Sequence, residues 1–178
     1  CTLPGGIEEE ASFLTVCTGI RPNLGFVDRS QVDVDTAILV DERMRTSADG
    51  LYAAGDVCQG SNLQSGKREW IGTWGNACYQ GRTAGYNMAG RKTMYQGIIP
   101  QHISPFFDWT YAQMGDVSRE GDGVKVISEG NPFNGPYRLL TFENDILVGA
   151  NLINCTEEAG IMKNTIIQKQ ESGFIKLD

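Results

Sequence analysis

One histidine, His102, is all the chain offers of that residue type in 178 positions, and none of its five cysteines forms a C-x-x-C pair. A zinc site built on the usual Cys and His spacing is thereby excluded. Cysteines at 1, 17, 58, 78 and 155 are odd in number and widely spaced. That pattern argues against a disulfide framework and for a reducing cytoplasm. No stretch approaches the roughly 18 consecutive apolar residues of a membrane helix. Basic stripes are also missing: 15 Lys plus Arg stand against 22 Asp plus Glu, for a net charge of -7. Nucleic acid and anionic membranes are therefore not expected partners. Nor does a G-x-G-x-x-G loop follow a strand anywhere, so no dinucleotide pyrophosphate has its glycine cradle here.

The remaining composition suits one ordinary domain or two small ones. The first residue is Cys1 rather than Met, and a processed, truncated or trimmed chain is expected. Lipidated proteins also begin with cysteine, but Leu3-Pro4-Gly5-Gly6 followed by Glu8-Glu9-Glu10 reads as the interior of an enzyme. Cys17 and Cys78 are expected to be small buried hydrophobes.

Ser12 to Cys17 is a short apolar run that reads as a buried strand, broken by Arg21-Pro22-Asn23. Val32 to Asp35 and Ala37 to Val40 suggest a small hairpin or edge strands. A second apolar run, Gly50 to Asp56, closes on a glycine and an acid. From Trp74 to Met88 the period becomes helical, with Trp74, Ala77, Cys78, Gly81, Ala84, Gly85 and Met88 on the face expected to pack. Gly90 is the expected stop, with Arg91-Lys92 complementing the dipole.

Tyr95 to Pro105 reads as a linker. After it, Phe106 to Met114, Val124 to Ser128, Tyr137 to Phe142 and Ile146 to Ile153 read as strands, the last two as a hairpin. A helix is expected over 157–169, with Ala159, Met162, Ile166 and Ile167 on its apolar face. Thr156 or Asn154 would cap it, with Glu157 and Glu158 in its first turn.

The chemistry is concentrated in Thr46-Ser-Ala-Asp-Gly-Leu-Tyr-Ala-Ala-Gly55-Asp56-Val57. A strand ending in small residues and glycine lets backbone approach a ligand, and an acid at its carboxyl end can accept hydrogen bonds from ribose or polyol hydroxyls. The same residues would also fit an ordinary Gly-Asp turn, or a site for another sugar-bearing ligand.

This segment resembles the second FAD motif of the two-dinucleotide flavoprotein reductases, the pyridine nucleotide-disulfide oxidoreductases that include NADH oxidase, rubredoxin reductase and ferredoxin reductases. Val16-Cys17-Thr18-Gly19-Ile20-Arg21-Pro22-Asn23 is similar to the family's connection from the NAD domain back to the FAD domain, with Cys17 where alanine is usual. Arg68-Glu69, Thr73-Trp74-Gly75-Asn76-Ala77 and Gln80-Gly81 resemble its flavin-facing helix.

The resemblance implies an α/β chain: part of the three-layer FAD/NAD(P)-binding fold over residues 1–97, then a small α+β C-terminal domain over 98–178. It implies FAD as cofactor and NAD(P)H as electron donor. Asp56 would hold a ribityl hydroxyl, with Gly55 and Val57 beside it. Thr18 and Gly19 would lie along the cofactor, and Thr73 and Trp74 would start the helix facing the pyrimidine ring. The alternative for Trp74 is a plain core aromatic. No catalytic residue is assigned.

The glycine-rich half would come from a missing N-terminal part or a separate subunit, so the chain alone is expected to be inactive. If the parent dimerises, the tail is the candidate interface. The His-Pro and Glu of the glutathione-reductase branch are absent, and His102 reads as a surface or packing residue. The alternatives are a disulfide or coenzyme A disulfide reductase with its redox cysteine in the missing half, and a non-catalytic interaction module that has lost the cofactor.

Overall fold

Two apolar clusters organise the chain, one on either side of residue 97. The first gathers Val32, Ile38, Val40, Met44, Ala53, Cys58, Ala84 and Tyr95. The second contains Ile99, Met114, Leu140, Phe142, Leu152 and Ile166 among others. The structure is a computed structural model that describes residues 5–6, 8 and 10–170. Cys1, Leu3 and Pro4 lie outside the described residues, as does Glu9 within the acidic run.

The front part is a partial α/β arrangement with little regular strand. Val34 and Ile38 make one antiparallel bridge, the expected small hairpin reduced to its minimum, and Ile38 bridges Cys58 in parallel. Within the expected strand over 50–56, Tyr52 makes a single bridge to Arg45. Strands β1 (Gly60–Ser61) and β2 (Arg68–Glu69) form a short antiparallel pair. Residues 12–17 are not a strand and are not buried: Phe13 is 80% exposed and Val16 71%. An apolar run becomes a strand only where another strand satisfies its backbone, and none of the described strands pairs with it. Cys17 is exposed for the same reason.

Helix α1 spans Trp74–Met88, the expected bounds. Thr83 is its one β-branched residue and it holds no proline. It ends in a Schellman motif. Gly90 adopts φ +81, its N–H donates to the Asn87 carbonyl, and the Arg91 N–H reaches back to Tyr86. The Arg91 guanidinium sits 4.6 Å over the Tyr86 ring.

The inward face of α1 keeps only Ala84 and the half-buried Ala77 of the residues expected from its apolar spacing. Asn76, Gln80, Thr83 and Ala84 are buried, whereas Trp74, Cys78, Gly81, Gly85 and Met88 are exposed. Hydrogen bonding decides the face. Asn76 Nδ2 donates to the Ile71 carbonyl, Gln80 Oε1 accepts the Gly55 N–H, and Asn87 Nδ2 donates to the Arg43 and Thr93 carbonyls. Backbone groups in the neighbouring loops need partners, and these amides supply them.

The tail is a five-stranded antiparallel sheet with one helix, in the order β3-β4-β7-β6-β5. The strands are β3 (Gln101–Phe106), β4 (Trp109–Gly115), β5 (Val124–Gly130), β6 (Tyr137–Glu143) and β7 (Ile146–Ile153). Asn144 and Asp145 both take positive φ, +50 and +65, as a two-residue hairpin turn between β6 and β7 requires.

The expected linker is corrected on two counts. Tyr95 and Ile99 are core residues, and 101–106 is an edge strand that tolerates Pro105 because its outer side has no ladder partner. The expected strand over 106–114 is correspondingly split at Phe107-Asp108.

After β7 the chain makes a 3₁₀ turn (Thr156–Glu158) and then α2 (Ala159–Gln168), which buries Ala159, Met162, Thr165 and Ile166. Ile167 packs partly against the same core. Neither Asn154 nor Thr156 caps the helix. Asn154 Oδ1 instead accepts the Thr110 N–H at 2.9 Å, tying the end of β7 to β4. Glu158, in the 3₁₀ turn, binds Arg138 of β6 with both carboxylate oxygens.

Candidate functional site

Tyr52, Ala53 and Ala54 carry the chain through the first cluster, and Gly55 then turns it at φ +81, where a β-carbon is disfavoured. A β-carbon at Gly55 would stand 3.4 Å from that of Ala77, so the turn is seated on the first helical turn of α1. Three hydrogen bonds fix it. The Gly55 N–H donates to Gln80 Oε1 at 2.8 Å, the Cys58 N–H donates to the Gly55 carbonyl at 3.1 Å, and the Trp70 indole N–H donates to the Asp56 carbonyl at 2.8 Å. Asp56 itself is exposed. Val57 packs partly against the cluster, and its carbonyl accepts the Ile38 N–H.

The start of α1 lies beside this turn. Thr73 is its N-cap residue in extended conformation, with no side-chain cap and no acidic residue in the first turn. The leading N–H groups of a helix have no partner within it, so this end favours negative charge. The Thr73 hydroxyl oxygen is buried and has no hydrogen-bond partner. Trp74 is 85% exposed and is not part of either apolar cluster.

Gly55, Asp56, Val57, Thr73 and Trp74 are thus brought to one place. Thr18 and Gly19 are exposed and join it less directly. Their neighbour Ile20 has its Cδ1 3.3 Å from where a Gly72 β-carbon would be, one residue before Thr73. Cavities of about 400 Å³, lined by Asp41, Arg45 and Arg68, and about 280 Å³, lined by Phe26 and Leu51, lie elsewhere, with Val57 on the rim of the second. At the open turn and helix end lie an exposed carboxylate, a buried hydroxyl without a hydrogen-bond partner and a helix start without a side-chain cap.

Four residues of the site escaped sequence reasoning in this role: Trp70, Asn76, Gln80 and Tyr95. The Tyr95 hydroxyl donates to Asn76 Oδ1 at 2.6 Å, and burial pushes its pKa up to about 12. The available signal was a polar repeat, Asn76, Gln80, Thr83 and Asn87, at the helical spacing of a buried stripe. Cys58 is buried and its thiol is pushed up to about 12 by desolvation, with the Asp56 charge adding to it. It is therefore an inert thiol rather than a nucleophile. Cys78 is exposed, against expectation, because its face of α1 points away from the core. His102 is exposed on edge strand β3, as a surface histidine. Among the described residues no cluster of His, Cys, Asp and Glu could hold a metal ion.

Comparison with known proteins places this geometry in context. The family described as "Pyridine nucleotide-disulphide oxidoreductase" matches residues 1–81. The chain is 30% identical over 173 residues to the NADH-dependent phenylglyoxylate dehydrogenase subunit epsilon of Aromatoleum evansii, a match covering 96% of this chain and 41% of that protein. It is 32% identical over 127 residues to the NAD(P)H sulfur oxidoreductase (CoA-dependent) of Pyrococcus furiosus, covering 68% of this chain and 29% of that one. Among solved structures, an FAD-dependent pyridine nucleotide-disulphide oxidoreductase from Desulfovibrio vulgaris superposes with a TM-score of 0.75 at 22% identity, over 86% of this chain and 41% of that one. The chain spans less than half the length of each of these relatives.

Proposed function

This chain belongs to the pyridine nucleotide-disulphide oxidoreductase family, and from that premise we propose that it supplies the flavin-facing part of an FAD-dependent NAD(P)H oxidoreductase. The observation that carries the reading is the Gly55-Asp56 turn seated on the uncapped start of α1. The residues fit such a group. Gly55 leaves room for close backbone approach, Asp56 presents an exposed carboxylate to ribityl hydroxyls, and the unpartnered Thr73 hydroxyl offers a buried polar contact. Thr73 and Trp74 would flank the pyrimidine edge, with Val57, Thr18 and Gly19 along the cofactor. Bound FAD supplies the electron transfer between NAD(P)H and an acceptor. The chain's own contribution is to orient the group and to favour negative charge at the start of α1.

Residues 1–97 are assigned to the FAD/NAD(P)-binding part and 98–178 to an α+β tail, in keeping with cores that part between Tyr95 and Ile99. The glycine-rich half would come from preceding sequence or a separate subunit, and the chain alone would be inactive. The tail is the proposed homodimer interface. A cytoplasmic setting accords with free cysteines at 17, 58, 78 and 155. No described helix is long and apolar enough to cross a membrane.

The CoA-dependent name of the P. furiosus relative favours one second reading, reduction of a sulfur substrate. Its redox cysteine would lie in the glycine-rich half. Visible absorption of the purified chain, alone and mixed with FAD and the glycine-rich half, tests the proposal. A bound-flavin spectrum in the complete mixture is expected, and its absence there would overturn the reading.

A further inference from the structure

The flavin reading leaves one buried group without a role: the Gln80 side chain in the middle of α1. Gln80 is 0% exposed, and glutamine is seldom buried so completely unless its amide has work to do. Its Oε1 accepts the Gly55 N–H at 2.8 Å and lies 3.4 Å from the Cys58 thiol, which can also donate to it. Both contacts are to the turn that carries Asp56, at sequence separations of 25 for Gly55 and 22 for Cys58. Its Nε2 is buried without a partner. The surrounding packing keeps the amide in place: a β-carbon on Gly60 would fall 2.6 Å from Nε2 and 3.0 Å from Tyr95 Cε1. One helical turn towards the N-terminus, Asn76 ties Tyr95 to the Ile71 carbonyl, just ahead of Thr73.

From this arrangement we propose that Gln80 is a positioning residue for the flavin site, acting on the cofactor only through the Gly55-Asp56 turn. The turn is flanked by isolated bridges rather than regular strands, Tyr52 to Arg45 before it and Cys58 to Ile38 after it, so side-chain contacts share in holding its angle. Gly55 is also the residue type with the widest choice of backbone conformations. A buried acceptor aimed at its N–H selects one of them, so the Asp56 carboxylate is presented at a fixed height over the start of α1. The inference rests on the flavin reading and adds to it a residue that never touches the ligand.

The test uses the complete flavin-binding protein, with FAD affinity followed by visible absorption and the flavin circular dichroism band. Wild type decides the underlying reading: if it binds no FAD, the flavin assignment fails whatever Gln80 does. With wild type binding, Gln80→Met keeps the volume and removes the acceptor, and should weaken FAD at least tenfold and alter the dichroism band. The double variant Gln80→Met with Asp56→Ala should bind FAD no more weakly than Asp56→Ala alone, because both act through one contact. Unchanged affinity in Gln80→Met, or additive losses in the double variant, would each overturn the proposal. If Gln80→Met does not fold, the Gly55 amide of the wild-type protein carries the test. It should exchange with solvent at least a hundredfold more slowly than an unprotected amide before FAD is added, and unprotected exchange would overturn the clamp.

Discussion

The Trp70 indole N–H reaches across 14 residues of sequence to the Asp56 carbonyl, at 2.8 Å, and holds the backbone of the acid rather than its carboxylate. A ligand can therefore take the carboxylate without breaking the contact that positions it. Trp70→Phe keeps most of the ring and removes the donor. The variant should lose about 1 kcal/mol of stability, the usual net worth of one hydrogen bond. It should also bind FAD a few-fold more weakly in the complete protein. Urea unfolding and a flavin titration check the two effects, and wild-type values in both would remove Trp70 from the site.

Glycines on opposite faces of the helix region should respond oppositely to alanine. At Gly60 the new β-carbon would fall 2.6 Å from Gln80 Nε2 and 3.0 Å from Tyr95 Cε1, so Gly60→Ala should cost about 1–3 kcal/mol by overpacking. At Gly81, within α1, nothing lies within 4 Å. There Gly81→Ala should stabilise the 178-residue chain by up to about 1 kcal/mol through helix propensity. Thermal unfolding of the two variants gives the comparison. Equal effects would mean that α1 does not bury its polar stripe.

Stability should fall on the alkaline side. Burial pushes the Cys58 thiol from its ordinary 9.0, and the Tyr95 hydroxyl from 10.0, up to about 12 each. The folded state thus holds protons that the unfolded chain releases, and unfolding becomes easier as pH rises from about 9 towards 12. Urea midpoints measured at rising pH should drop through this window, and Cys58→Ala should flatten part of the drop. On the acid side, the Arg138 guanidinium hydrogen-bonds Glu158 and holds its carboxyl below the ordinary 4.5, so that pair's contribution is lost as pH falls below about that value. Thiol reagents at neutral pH should label Cys17 and Cys78 quickly, and Cys58 and Cys155 only on unfolding.

What was legible in the sequence follows the physics of each element. The limits of α1 were readable because Gly90 stops it and nothing inside breaks it. The β6–β7 hairpin was readable because Asn144-Asp145 is turn chemistry between two apolar runs. The inward face of α1 was not, since apolar spacing carries no information about loop carbonyls and N–H groups that call for Asn76, Gln80 and Asn87. Residues 12–17 looked like a strand because an apolar run does not reveal whether a pairing strand is at hand. Strand β3 was hidden by Pro105, which is tolerated only at a sheet edge. At the site, Gly55 and Asp56 could be picked out locally, whereas Trp70 and Gln80 act across 14 and 25 residues and needed the fold to be seen.

Flavin affinity of the complete protein with Asp56→Ala, measured beside wild type by visible absorption, tests the central claim most directly. The account predicts near-stoichiometric FAD in wild type and at least tenfold weaker binding in the variant, as expected when a charged hydrogen bond worth about 1.5–3 kcal/mol is lost. Equal flavin content in the two proteins would contradict it, and Asp56 would then be an ordinary turn residue.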